Sequence, residues 1–264
     1  MVWSSYGFLL LGLLAVGFAF WGVSVWRRDV SIVDTLWSLM FLAITAGYGW
    51  LQGVQGPRGW LLLVLVSVWS LRLSYYITAR NHGEPEDHRY QKIRANNQPG
   101  FVWKSLYIVF GLQVLLAWLI AMPLAVAVSS ANALGWLDFA GFALWLLGMV
   151  FEVGGDRQLA RFKSDPDNRG RVLDTGLWRF TRHPNYFGEF ALWWGYYLIA
   201  CAAGGWWTLA SPVLMSFMLL RVSGVALLEK DIGERRPAYA EYMQRTNAFF
   251  PGPPRRAAVS AADE

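Results

Sequence analysis

The sequence predicts an all-α, polytopic membrane protein with seven transmembrane helices, and three observations lead there. Of 264 residues, 55% are hydrophobic and only 16% are charged. Several apolar runs reach the ~20 residues a helix needs to cross the hydrocarbon of a bilayer. Lys and Arg fall on alternate connections between those runs, as they do where cytoplasmic loops carry the positive charge.

The first run, 5–26, is long and lacks a cleavage-site pattern, so it reads as a retained span and not a signal peptide. The others follow at 31–51, 58–79, 104–130, 135–155, 186–203 and 206–228. Tryptophans sit near several of their ends, among them Trp21, Trp26, Trp50, Trp60, Trp206 and Trp207, where interfacial indole rings collect. Basic residues occupy the connections after the first span (Arg27, Arg28), the third (Arg80, Arg89, Lys92, Arg94, Lys104) and the fifth (Arg157 to Arg182). The C-terminal segment adds Lys230, Arg235, Arg236, Arg245, Arg255 and Arg256, whereas the intervening connections hold Arg58 alone. The N-terminus is therefore expected outside and the C-terminus in the cytoplasm. One cysteine, Cys201, excludes an intrachain disulfide and a Cys-rich metal site, and His82, His88 and His183 are too scattered for zinc, so no metal is expected. No internal repeat or separate soluble domain is visible; a single transmembrane domain over 1–256 is expected, followed by a disordered tail at 257–264.

The long polar connections are where function is expected. The segment 156–185, DRQLARFKSDPDNRGRVLDTGLWRFTRHPN, is rich in arginines that can fork onto phosphate oxygens; topology alone asks for many of the same residues. Asn185, Gly188, Glu189 and Trp193 share one helix face by their spacing, and Pro184 suits the first helical turn. Gly188 opens that face to a ligand or to another helix. Asp34, Arg72, Glu152, Glu189, Arg221 and Glu229 are ionisable groups in or beside the cytoplasmic half of the spans. A water-accessible cavity opening to the cytoplasm explains that bias; helix-fastening ion pairs and snorkelling are the other accounts. The charged segment 80–90, RNHGEPEDHRY, reads either as a lid bringing Glu86, Asp87 and Arg89 to a ligand or as a solvated loop.

DTGLWRFTRHPNYFGEFALWWGYYL and, further on, LLEKDIGERRPAYAEYMQRTNAFFP resemble the C-terminal half of the steroid 5-alpha reductase family. SIVDTLWS and RNHGEPEDHRY look typical of its bacterial, largely uncharacterised branch, which implies the inner membrane. The resemblance implies NADPH bound by 131–256 and a hydrophobic enone, steroid-like or isoprenoid, held by 1–130. Membrane lipids are then the other partners, and no nucleic acid is expected. It places Asn185, Asp156, Arg161, Arg171, Arg221 and Glu189 at cofactor-binding positions, with Arg182, His183, Tyr186 and Glu229 completing the set. Trp37, Arg72 and Glu86 are the substrate-side candidates. In such reductases a Tyr hydrogen-bonded to a Glu polarises the carbonyl oxygen. Here Asp34, one methylene shorter, matches the Glu and Trp69 falls at the Tyr, with Tyr75 and Tyr76 close by; indole donates a hydrogen bond but releases no proton near neutral pH. The same C-terminal motifs resemble isoprenylcysteine carboxyl methyltransferases, which implies S-adenosylmethionine as the alternative cofactor. Those enzymes usually carry an aromatic residue after the motif glycine, so Glu189 favours the reductase. A lipid-binding or transport protein without catalysis is the third option, although the two-halved helix symmetry typical of transporters is absent.

Overall fold

The computed structural model describes residues 1–222, 224–230, 232 and 237–255, and among them there is no strand. Arg235, Arg236 and Arg256 and the tail 257–264 lie outside the described residues. Among the described residues, six helices are long and apolar enough to cross a membrane: α1 (Trp3–Arg27), α2 (Ile32–Gln52), α3 (Pro57–Asn81), α5 (Phe101–Ile120), α7 (Trp136–Ser164) and α9 (Trp206–Glu229). Between them lie the short helices α4 (His88–Asn96) and α6 (Met122–Val128), and α8 (Pro184–Ala202) occupies the sixth predicted run, 186–203. α8 has the length of a span, but Asn185, Glu189 and its Trp and Tyr residues make it less apolar than the other six. Helix α10 (Pro237–Arg245) is the last described helix, and the described chain runs on to Arg255.

The chain groups into two compact units, Met1–Asp138 with Tyr197–Ser211, and Phe139–Tyr196 with Pro212–Glu264. In the first, α2 is central and packs on α1, α3, α5 and α6. Ser38 and Ser70 donate to each other's carbonyls at 2.9 and 2.6 Å, so α2 and α3 satisfy their own hydroxyls where no water reaches. Arg58, the lone basic residue of the expected outer connections, is buried against Asp138 with Nε–Oδ1 at 2.7 Å and Nη2–Oδ2 at 2.8 Å. Ser130 and the Ala133 carbonyl take its other donors, so the pair is buried without an orphaned charge.

The predicted span 104–130 is a single run in sequence and two helices in the structure. Pro123 has no N–H to give the Leu119 carbonyl, and the helix breaks at Ala121. The Ser211 hydroxyl donates to that freed carbonyl at 3.1 Å.

In the second unit the seam is made of glycine. Gly141, Gly148 and Gly155 on α7 and Gly188 and Gly195 on α8 recur every seven residues. A Cβ on Gly188 would stand 2.4 Å from the Glu152 nitrogen, one on Gly148 2.5 Å from the Gly188 carbonyl, and one on Gly195 2.6 Å from the Gly141 carbonyl. Small residues let two membrane helices touch backbone to backbone. Of the two openings the sequence left for Gly188, the structure fills one: it admits another helix.

Candidate functional site

Within each unit, a group of predicted site residues is built around a carboxylate. In the first unit Asp34 stands in the first turn of α2, with its side chain 16% exposed. Its Oδ2 accepts from Arg89 Nη2 at 2.8 Å, and its Oδ1 accepts from the Tyr90 hydroxyl at 2.5 Å. Both partners come from α4, which Asp87 caps by accepting the Arg89 N–H at 2.9 Å. Asp87 also receives Arg89 Nε and Nη2, at 3.0 and 2.9 Å. Burial alone would lower the Arg89 pKa, but Asp87 and Asp34 outweigh it and raise it. Burial, with Asp34 adding to it, holds the Tyr90 phenol well above its ordinary value. Gln113 Nε2 donates to the same phenol oxygen at 3.1 Å. Tyr90 is buried among Trp21, Val30, Val33, Phe101 and Phe110, so its one polar atom is placed by Asp34 and Gln113 alone.

The other first-unit candidates are elsewhere. Trp69 is fully buried, its ring 5.7 Å from that of Phe41. Phe41 is seven residues, about 10 Å of helical rise, beyond Asp34, so Asp34 and Trp69 are not brought together. Tyr76 has Arg72 and Arg80 over its ring at 5.3 and 6.0 Å, a cation–π sandwich along one helix face. Trp37 packs edge-on against Phe41. Glu86 is engaged by the protein itself: it accepts the Val30 N–H at 2.9 Å and both Nε and Nη2 of Arg94, at 3.0 and 2.7 Å. The segment RNHGEPEDHRY is thus tied down at Glu86 and at Asp87.

In the second unit the carboxylate is Glu229. Arg182 forks onto it, Nε–Oε1 and Nη2–Oε2 both at 2.7 Å, and His183 Nε2 shares Oε1 at 2.9 Å. Arg182 Nη1 donates to the Met243 carbonyl at 3.0 Å and to the Thr246 carbonyl. Burial works to lower the Arg182 pKa, and Glu229 overrides it, so the guanidinium is held charged. The backbone joins in: the Arg182 N–H reaches the Asn247 carbonyl at 2.9 Å, and the Thr181 hydroxyl reaches the Phe249 carbonyl at 2.7 Å. The His183 ring stacks on Tyr186. Asn185 forms a separate pair, donating Nδ2 to the buried Asp156 at 3.2 Å across the glycine seam.

Arg161, Arg171 and Arg221 are exposed, and none of them forms an ion pair among the described residues. Arg161 lies on the face of α7 turned away from Asp156, beside an open cavity of about 710 Å³. Glu189 is half-buried on α8, one position beyond Gly188. Among the described residues there is no group of three or more His, Cys, Asp or Glu side chains placed to hold a metal.

Sequence reasoning missed Tyr90 and Gln113. The signal for Tyr90 was its setting, an aromatic residue beside Arg89 in an otherwise charged segment. Nothing in the pattern linked it to Asp34, 56 positions away.

The comparisons with known proteins come to the following. The family described as "Protein of unknown function (DUF1295)" matches residues 20–246. An uncharacterized protein of Schizosaccharomyces pombe is 30% identical, over 92% of this chain and 78% of that protein. The 3-oxo-5-alpha-steroid 4-dehydrogenase 1 of Mus musculus is 33% identical over 30% of this chain and 29% of its own length. That of Homo sapiens is 34% identical over 25% of each. No solved structure matches the chain.

Proposed function

This chain belongs to the DUF1295 family, a steroid 5-alpha reductase-like family, and on that premise we propose that it is a membrane-embedded, NADPH-dependent reductase of a hydrophobic enone. Similarity to two 3-oxo-5-alpha-steroid 4-dehydrogenases supports the reaction class, over a quarter to a third of each chain. The observation that carries the chemistry is the phenol–carboxylate bond at 2.5 Å between Tyr90 and Asp34. A carboxylate-held Tyr is the donor such a reduction needs, because a donor aimed at the carbonyl oxygen stabilises the enolate that develops.

The residues present fit an anionic dinucleotide. Arg171 and Arg221, exposed and without ion pairs among the described residues, suit its phosphates, and the Asn185 amide suits a polar ring substituent. When bound, the nicotinamide supplies hydride to the alkene carbon beta to the carbonyl. Tyr90 turns its hydroxyl from Asp34 to the substrate oxygen, and Asp34 keeps its charge compensated by Arg89. With its pKa raised, Tyr90 polarises the oxygen without giving up its proton, and a proton added at the alpha carbon completes the saturated product. Pro184–Ala202 serves as the seventh span in this reading, with the N-terminus outside and the long basic connections in the cytoplasm, where NADPH is found.

Isothermal titration of the purified protein with NADPH and with S-adenosylmethionine tests it. NADPH binds, and Asn185→Ala weakens it about tenfold, the size of one lost hydrogen bond to a charged or strongly polar group. Binding of S-adenosylmethionine in place of NADPH overturns the reading. So does unchanged NADPH affinity in the Asn185→Ala protein.

A further inference from the structure

The face of α7 turned away from α8 carries a feature that the reductase reading does not use. Gly148, Gly155 and Asp156 look toward α8. At about 100° per residue, Arg157, Gln158 and Arg161 centre on the opposite side of the helix. There they line the open cavity of about 710 Å³, with Phe162 beside them and Leu173 and Thr175 across from them. The far wall is fixed: Gln158 Oε1 accepts the Leu177 N–H at 2.9 Å, and Gly176, at φ 61°, leaves room for that amide. Arg157 and Arg161 are one turn apart and exposed, and neither side chain forms a hydrogen bond or ion pair among the described residues. Asp165 is the carboxylate at the rim, and it spends Oδ1 on capping the Asp167 N–H at 3.0 Å.

Two guanidiniums against one partly committed carboxylate leave the cavity positive. Forked donors one helical turn apart suit the oxygens of a phosphate. Depth points the same way. The apolar stretch of α7 ends near Val153, so Arg157 and Arg161 stand about 6 to 12 Å beyond it, at the level of lipid headgroups. Phe162 and Leu173 supply an apolar wall for the carbon skeleton of such an ester.

We infer that this cavity is a phosphate-ester site, separate from the Asn185 and Asp156 side of the same helix, and that it takes an anionic phospholipid headgroup or a free phosphorylated metabolite of the same chemistry. The inference stands apart from the reductase reading and fails or survives by itself.

Native mass spectrometry of the full-length protein, released from a neutral detergent, tests it with phosphatidylglycerol and glycerol 3-phosphate titrated in parallel. The wild type binds at least one of them, and Arg157→Gln with Arg161→Gln weakens that binding about tenfold or more. The Lys pair at the same positions, which keeps charge but not the fork, recovers part of it. Tighter phosphatidylglycerol assigns the site to the membrane, and tighter glycerol 3-phosphate to a soluble ligand. Asn185→Ala leaves the probe bound as before. Failure of both probes to bind, or equal binding by the wild type and the Gln pair, overturns the site. Displacement of the probe by NADPH overturns its separateness.

Discussion

Each unit of this protein holds a carboxylate that grips an arginine and an aromatic ring, and the two clusters are bonded differently. Glu229 meets Arg182 and His183, and Arg182 goes on to Met243 and Thr246. Each nitrogen of that guanidinium is committed to the protein, and the backbone on both sides of it is bonded to 247–249. Asp34 meets Arg89 and Tyr90, and the phenol is a single hydroxyl that a rotation can redirect. The motif that looks most chemical in the sequence, Arg-His before the Pro-Asn turn, is in large part a clamp on the C-terminal segment. The group we propose to polarise a carbonyl, Tyr90, comes from a charged stretch that looks like a solvated loop. A cluster in which each guanidinium nitrogen is bonded to a carbonyl or a carboxylate is suited to holding structure; one with a movable proton is suited to a reaction.

The largest effect that would sharpen this contrast is on turnover. Tyr90→Phe keeps the ring in its apolar pocket and removes only the hydroxyl. If Tyr90 polarises the substrate, kcat for NADPH-linked reduction of a 3-oxo-4-ene falls about 10²- to 10⁴-fold, the usual range for a positioned acid–base or polarising group. Stability drops by about 1 to 3 kcal/mol, for the two hydrogen bonds lost, one to Asp34 and one from Gln113. Steady-state kinetics beside thermal unfolding in detergent separates the two roles. A loss of stability with kcat unchanged makes Tyr90 a fastener, and the contrast between the clusters collapses.

Arg182→Ala should do the reverse. It strips Glu229 of its fork and leaves the Met243 and Thr246 carbonyls without their donor. Breaking a largely buried pair from one side costs roughly 3 to 5 kcal/mol, because the surviving charge has no compensation. The expected result is a lower unfolding midpoint and early proteolysis within 237–255. Unchanged unfolding would remove the clamp and return Arg182 to the set of plain cofactor ligands.

The reach of sequence reasoning follows the same division. Helices were legible because an apolar run of bilayer length has few other uses, and Pro184 at the start of α8 falls where a proline without an N–H does no harm. The break at Ala121 was written in Pro123, but its repair by Ser211 depends on a residue 92 positions away. The glycine seam shows the same limit. The seven-residue spacing of Gly141, Gly148 and Gly155 is in the sequence, yet whether Gly188 faces a ligand or a helix is settled only by the backbone 2.4 Å from its missing Cβ. The Asp34–Tyr90 and Arg182–Glu229 contacts were out of reach for the same reason, since charge pairing over 47 or 56 positions leaves no local pattern.

The smallest effect concerns how the reactive cluster is held. Asp87 caps α4 and receives two donors from Arg89, with its side chain 21% exposed. Burial works to raise its pKa, but Arg89 outweighs it, and the folded value lies below the ordinary 3.8. A carboxylate depressed on folding stabilises the folded state fully above the unfolded value, near 4. That contribution is lost as pH falls through the folded value. The docking of α4, and Tyr90 with it, should therefore weaken only on the acid side of about pH 4 and stay flat through neutrality. Asp87→Ala loses the cap at a cost of about 1 kcal/mol and removes part of that acid limb. Hydrogen exchange at the amides of 88–96, followed against pH in both proteins, reads it directly. Identical pH profiles would mean that the aspartate does not anchor the helix, and Tyr90 would then owe its position to the apolar pocket and to its bonds with Asp34 and Gln113.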